Sequence, residues 1–142
     1  MNYTGMLKEG TLENKVILIT GGGTGLGKSM GKYFMELGAH LIITSRKQDI
    51  LDNTAEEFEA YSGKIFPVSA DVRDSKDVKG VIQASLEKFG KVDVLVNNAG
   101  VYGPKGNIEK INWKEWIKAL EINLFGSILL CKAVIPYFKK KK

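Results

Sequence analysis

The chain has 142 residues, of which 44% are hydrophobic and 26% are charged, and these values are typical of one globular domain. The net charge of +5 comes mostly from the four lysines at positions 139–142, so it indicates a solvated tail rather than a nucleic-acid-binding face. A single cysteine, Cys131, excludes an internal disulfide framework and predicts a cytoplasmic protein.

Neither a membrane segment nor a metal site is expected. Residues 1–14 have no apolar core of the kind that defines a signal peptide. No run of residues approaches the roughly 18 apolar residues that a membrane span requires. His40 is the only histidine, and no cysteine or carboxylate accompanies it at the spacing of zinc ligands.

Apolar strands and amphipathic helices alternate four times along the chain. Pro67 favours an edge or end position for the third strand, and the last helix is expected to break once near residues 121–123. The predicted strands are residues 16–20, 41–44, 64–70 and 92–96. Three of the predicted helices are residues 25–37, 48–61 and 112–138, and the remaining helix is expected to be capped by Asp74 or Ser75 and to end at Gly90. In the first helix, Leu26, Met30, Tyr33, Phe34 and Leu37 are expected to share one face.

This alternation predicts an α/β fold of the Rossmann type. Repeated right-handed βαβ units build a parallel sheet with helices on both faces, here with strand order 3-2-1-4. The chain is expected to be truncated after the fourth strand and its helix. A ligand would bind beyond the carboxyl ends of the strands, where strands one and four separate.

A glycine-rich stretch, TGGGTGLGKS at residues 20–29, connects the first strand to the first helix. Backbone N–H groups at such a helix N-terminus bind phosphate. Residues 22–29 match the P-loop pattern, in which Lys28 would reach the β- and γ-phosphates and Ser29 would bind Mg²⁺. Residues 20–27 also spell T-G-x-x-x-G-x-G, a turn that suits the pyrophosphate of a dinucleotide. This stretch does not decide between the two interpretations.

The end of the second strand bears on the choice of nucleotide. A dinucleotide site places the adenosine ribose there, and an acidic residue would favour NAD. This chain has Ser45 and Arg46 instead. A hydroxyl and a planar guanidinium suit a 2′-phosphate, which predicts NADP(H) in preference to NAD(H).

Two further motifs follow strands three and four. Asp71 could bind Mg²⁺ beside a P-loop or lie next to an adenine ring, so it does not discriminate. Residues 97–100, NNAG, have no obvious use in a P-loop enzyme.

Together these motifs resemble those of the short-chain dehydrogenase/reductase family, classical type. The matching segments are residues 20–27, 71–72 and 97–100 with Asn123, in the family's order. The resemblance implies that residues 1–142 are an incomplete NAD(P)-binding Rossmann domain. It also implies NADP(H)-dependent hydride transfer to or from a carbonyl or enoyl substrate. The first half looks like the dienoyl-CoA and enoyl-CoA reductase branch, whereas residues 97–103 look more like generic keto reductases.

The resemblance also implies roles for single residues. Asn123 is similar to the helix asparagine that supports the family's proton relay, which makes it the one candidate with a catalytic role. The candidate cofactor-binding residues are Gly21, Gly23, Thr24, Gly25, Leu26 and Gly27 at the pyrophosphate, Ser45 and Arg46 at the ribose, Asp71 and Val72 at the adenine, and Asn97, Ala99 and Gly100 in the middle.

The family's chemistry needs a serine and a Tyr-x-x-x-Lys pair, which this chain is expected to lack. Tyr137 and Lys141 have the spacing, but they lie only 14 residues beyond Asn123 with no serine strand between. We therefore expect a cofactor-binding portion without turnover; a non-catalytic dinucleotide-binding module is the alternative. The open edge of strand four and the apolar last helix predict a homo-oligomer.

Overall fold

The computed structural model describes residues 6–140, so Lys141 and the end of the lysine tail lie outside the described residues. Four parallel strands form one sheet in the order β3-β2-β1-β4, as predicted. The elements are β1 (Val16–Thr20), α1 (Gly25–Glu36), β2 (His40–Ser45), α2 (Gln48–Glu57), β3 (Ile65–Ser69), α3 (Ser75–Phe89), β4 (Val94–Val96), a 3₁₀ turn (Ile108–Lys110), α4 (Trp113–Leu120), a π-turn (Glu121–Phe125) and α5 (Gly126–Lys139).

Two predicted boundaries were wrong. Helix α2 ends four residues before position 61, because the amides of Phe58 and Tyr61 bond carbonyls only three residues back and the helix tightens into turns. Strand β4 starts at Val94 rather than at position 92, since the ladder to β1 begins there. Just before it, Asp93 bonds Val16 through both its backbone amide (2.8 Å) and its carboxylate (2.9 Å).

The core lies on both faces of β1 and β2, which are buried along almost their whole length. One face packs against α3 and α5, and the other against α1 and α2. Residues on the first face include Val16, Leu18, Ile42, Val78, Val81 and Leu130. Residues on the second face include Ile17, Ile19, Leu41, Ile43, Met35, Leu51 and Phe58.

The predicted apolar face of α1 is buried only in part: Leu37, just after the helix, is in the core and Phe34 packs against it. Leu26 is 78% exposed, and the buried residues of the helix are Gly27, Gly31 and Met35. A β-carbon at Gly27 would lie 2.2 Å from the Gly21 carbonyl oxygen, and one at Gly31 would lie 3.0 Å from Leu41. The helix therefore makes its closest approach to the sheet through its glycines, while Met35 and Phe34 contribute to the core further along.

The last helical region breaks once, as predicted, and the break is a π-turn over Glu121–Phe125. The run Trp113–Lys139 is 27 residues long and, by length and composition alone, is apolar enough to cross a membrane. The expectation that no segment reaches this limit was wrong. Core helices meet the same criterion, and α5 packs Leu130 and Val134 into the sheet's core.

Strand β4 has only three residues, none of them buried, and its described partner is β1 alone. The last helical region also exposes large apolar side chains. These side chains, here called the open face, are Trp113, Trp116, Leu120, Leu124, Phe125, Ile128 and Ile135.

Candidate functional site

A cleft of about 300 Å³ lies at the carboxyl ends of the strands, where the topology predicted a ligand. Nine predicted residues line it: Gly21, Gly23, Thr24, Ser45, Arg46, Asp71, Val72, Ala99 and Gly100. Five predicted residues do not: Gly25, Leu26, Gly27, Asn97 and Asn123. The sequence analysis missed six lining residues: Thr44, Lys47, Ile50, Ala70, Val101 and Ile122.

The glycine turn is shaped by close backbone contacts. Gly21 adopts a φ of +65°, and its amide donates a 2.7 Å hydrogen bond to the Thr44 carbonyl. Gly27 packs directly on the Gly21 carbonyl, so it supports the turn from behind without lining the cleft. Gly25, with a φ of +53°, starts α1, whose first turn carries no acidic residue. The turn therefore offers an anion a helix N-terminus without a competing carboxylate.

Asn98 and Thr20 hold this turn to the chain after β4. The Asn98 side-chain amide donates to the carbonyls of Thr20 (2.9 Å) and Gly21 (3.2 Å). The Thr20 hydroxyl accepts from the amides of Asn98 (3.0 Å) and Ala99 (2.9 Å). Both residues stand inside the TG and NNAG motifs, but only their spatial proximity shows that each motif supports the other.

The end of β2 carries positive charge into the cleft. Arg46 is exposed, and within residues 6–140 no carboxylate forms an ion pair with it. Ser45 accepts a 3.4 Å hydrogen bond from the amide of Lys47, which also lines the cleft. A guanidinium and a hydroxyl thus stand together at the end of this strand, as predicted.

Asp71 lines the cleft at the end of β3, and its carboxylate is held by Arg73. The Arg73 Nε lies 3.0 and 3.1 Å from the two carboxylate oxygens, and Nη2 bonds Oδ2 as well. These hydrogen bonds lower the pKa of Asp71 to about 2, with a smaller contribution from the charge of Arg46. The carboxylate is therefore ionised throughout the neutral range.

Asn97 and Asn123, the two predicted asparagines, form hydrogen bonds beside the cleft and do not line it. Asn97 is exposed and donates to the Cys131 sulfur at 3.4 Å, which joins the end of β4 to α5. Asn123 exchanges two 2.8 Å hydrogen bonds with the backbone of Val101. The π-turn is thereby fastened to the loop after β4, and Asn123 acts on the cleft through Val101.

The hydroxyl oxygen of Thr44 is buried and has no hydrogen-bond partner within residues 6–140. Its backbone carbonyl already accepts the amide of Gly21. No motif marked this residue. The orphaned hydroxyl at the cleft, the close-packed glycine turn and the unpaired Arg46 are a donor set that fits a phosphorylated dinucleotide.

The P-loop interpretation loses its central lysine in the structure. Lys28 points to α2 and forms a 2.6 Å ion pair with Glu57, and it does not line the cleft. Across the described part of the chain, no group of three or more histidine, cysteine or acidic side chains could hold a metal ion. The glycine turn remains as an anion site without the lysine that P-loop chemistry needs.

Comparisons with known proteins agree on one family. A family model described as "short chain dehydrogenase" matches residues 15–142. The 3-oxoacyl-(acyl-carrier-protein) reductase of Thermotoga maritima is 34% identical over 131 residues, covering 92% of this chain and 53% of the relative. The peroxisomal hydratase-dehydrogenase-epimerase of Saccharomyces cerevisiae is 37% identical over 145 residues, covering 99% of this chain and 15% of that protein.

A solved structure shows the same arrangement of elements. The 3-ketoacyl-(acyl-carrier-protein) reductase of Brucella melitensis, complexed with NADH, superposes with a TM-score of 0.87 at 37% identity. That match covers 92% of this chain and 53% of the other, so the chain spans about half the length of such relatives. The chain belongs to the short-chain dehydrogenase/reductase family, of which it represents the N-terminal, dinucleotide-binding portion.

Proposed function

We propose that this chain is the NADP(H)-binding portion of a short-chain oxidoreductase that acts on a carbonyl or enoyl substrate. The observation that carries the choice of cofactor is Arg46, exposed at the cleft beside Ser45 without an ion-pair partner among the described residues. A guanidinium binds a 2′-phosphate as a planar fork, and no acidic residue stands at this position to bind a free 2′-hydroxyl. Relatives named as ketoacyl reductases support the substrate class.

The residues of this chain bind and orient the cofactor. When bound, NADPH supplies the hydride. The backbone amides of the glycine turn and of the start of α1 hold the pyrophosphate. Arg46 and Ser45 hold the 2′-phosphate, and Asp71 accepts a hydrogen bond from the adenine amino group. Asn123 keeps the loop after β4 in place through Val101.

Binding of NADP⁺ and NAD⁺ by the 142-residue chain, measured by calorimetry, tests the cofactor choice. We expect NADP⁺ to bind at least about tenfold more tightly, because the 2′-phosphate gains charge-assisted hydrogen bonds. Arg46→Ala should remove most of that preference. Lys79→Ala is the matched control, since it removes one positive charge from an exposed position on α3 outside the cleft. Equal affinities in the parent chain would exclude the role given to Arg46.

We further propose that the 142-residue chain binds the cofactor without catalysing turnover by itself. The cleft residues described above all address the cofactor, and the family's proton relay requires a serine and a Tyr-x-x-x-Lys pair. A non-catalytic dinucleotide-binding module, the second candidate, fits the same contacts. NADPH oxidation above background with ketones or enoyl thioesters would contradict the absence of turnover.

Two further proposals concern partners and location. The open face supports self-association through a second copy of the chain, since exposed large apolar side chains at helical spacing along one region favour an interface. A cytoplasmic location is supported by the single half-buried cysteine, Cys131.

A further inference from the structure

Arg73 lies between β3 and α3, outside the cleft. Its side chain binds the carboxylate of Asp71, which lines the cleft. Besides the guanidinium contacts to both oxygens of Asp71, the Arg73 backbone amide donates to Oδ1 at 3.0 Å. On its other side, the guanidinium approaches the Glu121 carboxylate only to 4.0 Å. Asp71 is therefore the residue that Arg73 holds.

The other charged groups around Asp71 do not replace this grip. The Arg46 charge favours the ionised form but makes a smaller contribution than Arg73 to lowering the pKa of Asp71. The Asp77 carboxylate accepts the Asp71 backbone amide at 2.9 Å, and the Asp74 amide donates to the Asp71 carbonyl at 3.0 Å. Asp77 and Glu121 are negative, so they cannot hold the carboxylate ionised. The orientation of Asp71 depends on Arg73.

The grip leaves room for a ligand. Arg73 brings three donors to the two oxygens, namely its backbone amide, Nε and Nη2, and Nε is shared between both oxygens. The Asp71 side chain is still 24% exposed and lines the cleft, so a donor of the ligand can reach it while its rotation is blocked.

We propose that Arg73 is a positioning residue that makes Asp71 a fixed, ionised acceptor for the exocyclic amino group of the adenine ring. This rests on the proposed function, because it assigns the adenosine end of NADP(H) to this part of the cleft. Arg73 contributes to base selectivity without touching the ligand. An adenine donates from its amino group to Asp71, whereas a hypoxanthine presents a carbonyl oxygen that a carboxylate repels.

Base discrimination by the 142-residue chain tests the proposal. We compare NADP⁺ with its hypoxanthine analogue by calorimetry at pH 7 in the parent, Arg73→Met and Arg73→Lys chains. We expect the parent to prefer adenine by about tenfold and Arg73→Met to reduce that preference to about twofold. Arg73→Lys keeps the charge but not the fork, so it should recover part of the preference. Lys76→Met, a charge deletion on the exposed start of α3, is the matched control.

The pH dependence of affinity gives a second readout that a purely structural role would not move. Asp71 binds the amino group only when ionised, so affinity is present above its pKa and is lost as the pH falls through it. In the parent that window lies near pH 2. In Arg73→Met it moves up toward the ordinary aspartate value of about 3.9. Affinity for adenosine 2′,5′-bisphosphate should then fall up to about twofold more than in the parent between pH 6 and pH 4. Protonation of the adenine itself is common to both chains and cancels.

The possible results distinguish a failure of the role given to Arg73 from a failure of the proposed function. A folded parent chain that binds neither NADP⁺ nor adenosine 2′,5′-bisphosphate would remove the proposed function. A parent that binds both, with Arg73→Met showing the same base preference and the same pH profile, would remove the role of Arg73 alone. If Arg73→Met fails to fold, Arg73→Lys decides: unchanged discrimination and an unchanged profile would overturn the proposal.

Discussion

The two inner strands of the sheet, β1 and β2, and its outer strand β4 differ in how completely they are covered. All five residues of β1 are buried, with a strand on each side and a helix layer on each face. Strand β4 has three residues, none buried, and one described neighbour. A similar contrast separates β1 from the open face: Leu18 is 0% exposed, whereas Leu124, in the π-turn, is 49% exposed.

This difference indicates which part of the cleft stands on fully packed strands. The glycine turn and the end of β2 rise from strands packed on both faces, so the groups assigned to pyrophosphate and 2′-phosphate rest on a firm base. The loop after β4 is held by a few side-chain hydrogen bonds, chiefly from Asn98 and Asn123. The proposed cofactor contacts therefore rest mainly on the strands that are covered on both faces, in keeping with the proposed separation of binding from turnover.

The largest loss of stability is expected from a substitution at Gly27, where α1 makes its closest backbone contact with the glycine turn. In Gly27→Ala the new methyl group would meet the Gly21 carbonyl oxygen at 2.2 Å and the Asn98 amide at 2.6 Å. We expect a loss of about 3 kcal/mol or more in the free energy of unfolding, with dinucleotide affinity lost as the turn is displaced. Urea unfolding and calorimetry measure both.

Gly80→Ala is the control for that substitution. Gly80 lies in α3, and a β-carbon there would meet no atom within 4 Å. Alanine in an exposed helix interior should stabilise the chain by about 0.5–1 kcal/mol and leave affinity unchanged. A Gly27→Ala chain as stable as Gly80→Ala would show that α1 can move away from the sheet without cost.

The same substitution, leucine to alanine, made in β1 and on the open face measures directly how the two regions differ in burial. Leu18→Ala should lower the free energy of unfolding by about 3 kcal/mol, because it opens a cavity in the core. Leu124→Ala should cost less than about 0.5 kcal/mol at concentrations where the chain is monomeric, since the side chain is half in water. Equal losses in urea unfolding would mean that the open face is covered in solution.

Two buried threonines sharpen the comparison at the cleft itself. The Thr54 hydroxyl donates a 2.9 Å hydrogen bond to the Gly23 carbonyl, whereas the Thr44 hydroxyl has no described partner. Thr54→Val should therefore cost about 1–2 kcal/mol. Thr44→Val should cost nothing or stabilise the ligand-free chain, because it removes an unpaired polar atom. Thermal unfolding compares the two, and an equal loss would show that Thr44 is bonded in solution.

The smallest effect on the fold is expected on the open face. Ile128→Glu places a charge on a 53% exposed position of α5 and should leave the unfolding of the monomer almost unchanged. It should weaken self-association by about tenfold or more, because a charge would have to be buried in an apolar contact. Light scattering over a concentration series measures this, with Lys32→Glu as the control, an exposed position on α1, which packs on the opposite face of the sheet. A parent chain that stays monomeric would contradict the proposed oligomer.

Periodicity and local motifs predicted most of the architecture. The order of the strands followed from the βαβ alternation, and Pro67 correctly indicated an edge strand. Asp74, one of the two predicted caps, caps α3, and Gly90 ends the helix in a left-handed conformation as predicted. Leu26 was misplaced, because a helix that approaches a sheet through glycines does not follow an apolar stripe.

The sequence by itself determined the fold class, the place of the cleft and the residue types at the ends of β1, β2, β3 and β4, since these depend on local pattern and on the fixed hand of βαβ units. Only the tertiary structure decided which side chains form ion pairs and hydrogen bonds with one another. It paired Lys28 with Glu57, and so removed the P-loop chemistry that the motif alone allowed. It placed Arg73 on Asp71, Asn98 on the glycine turn and Thr44 at the cleft. Contacts of this kind depend on distances and directions between strands, which spacing along one chain does not encode.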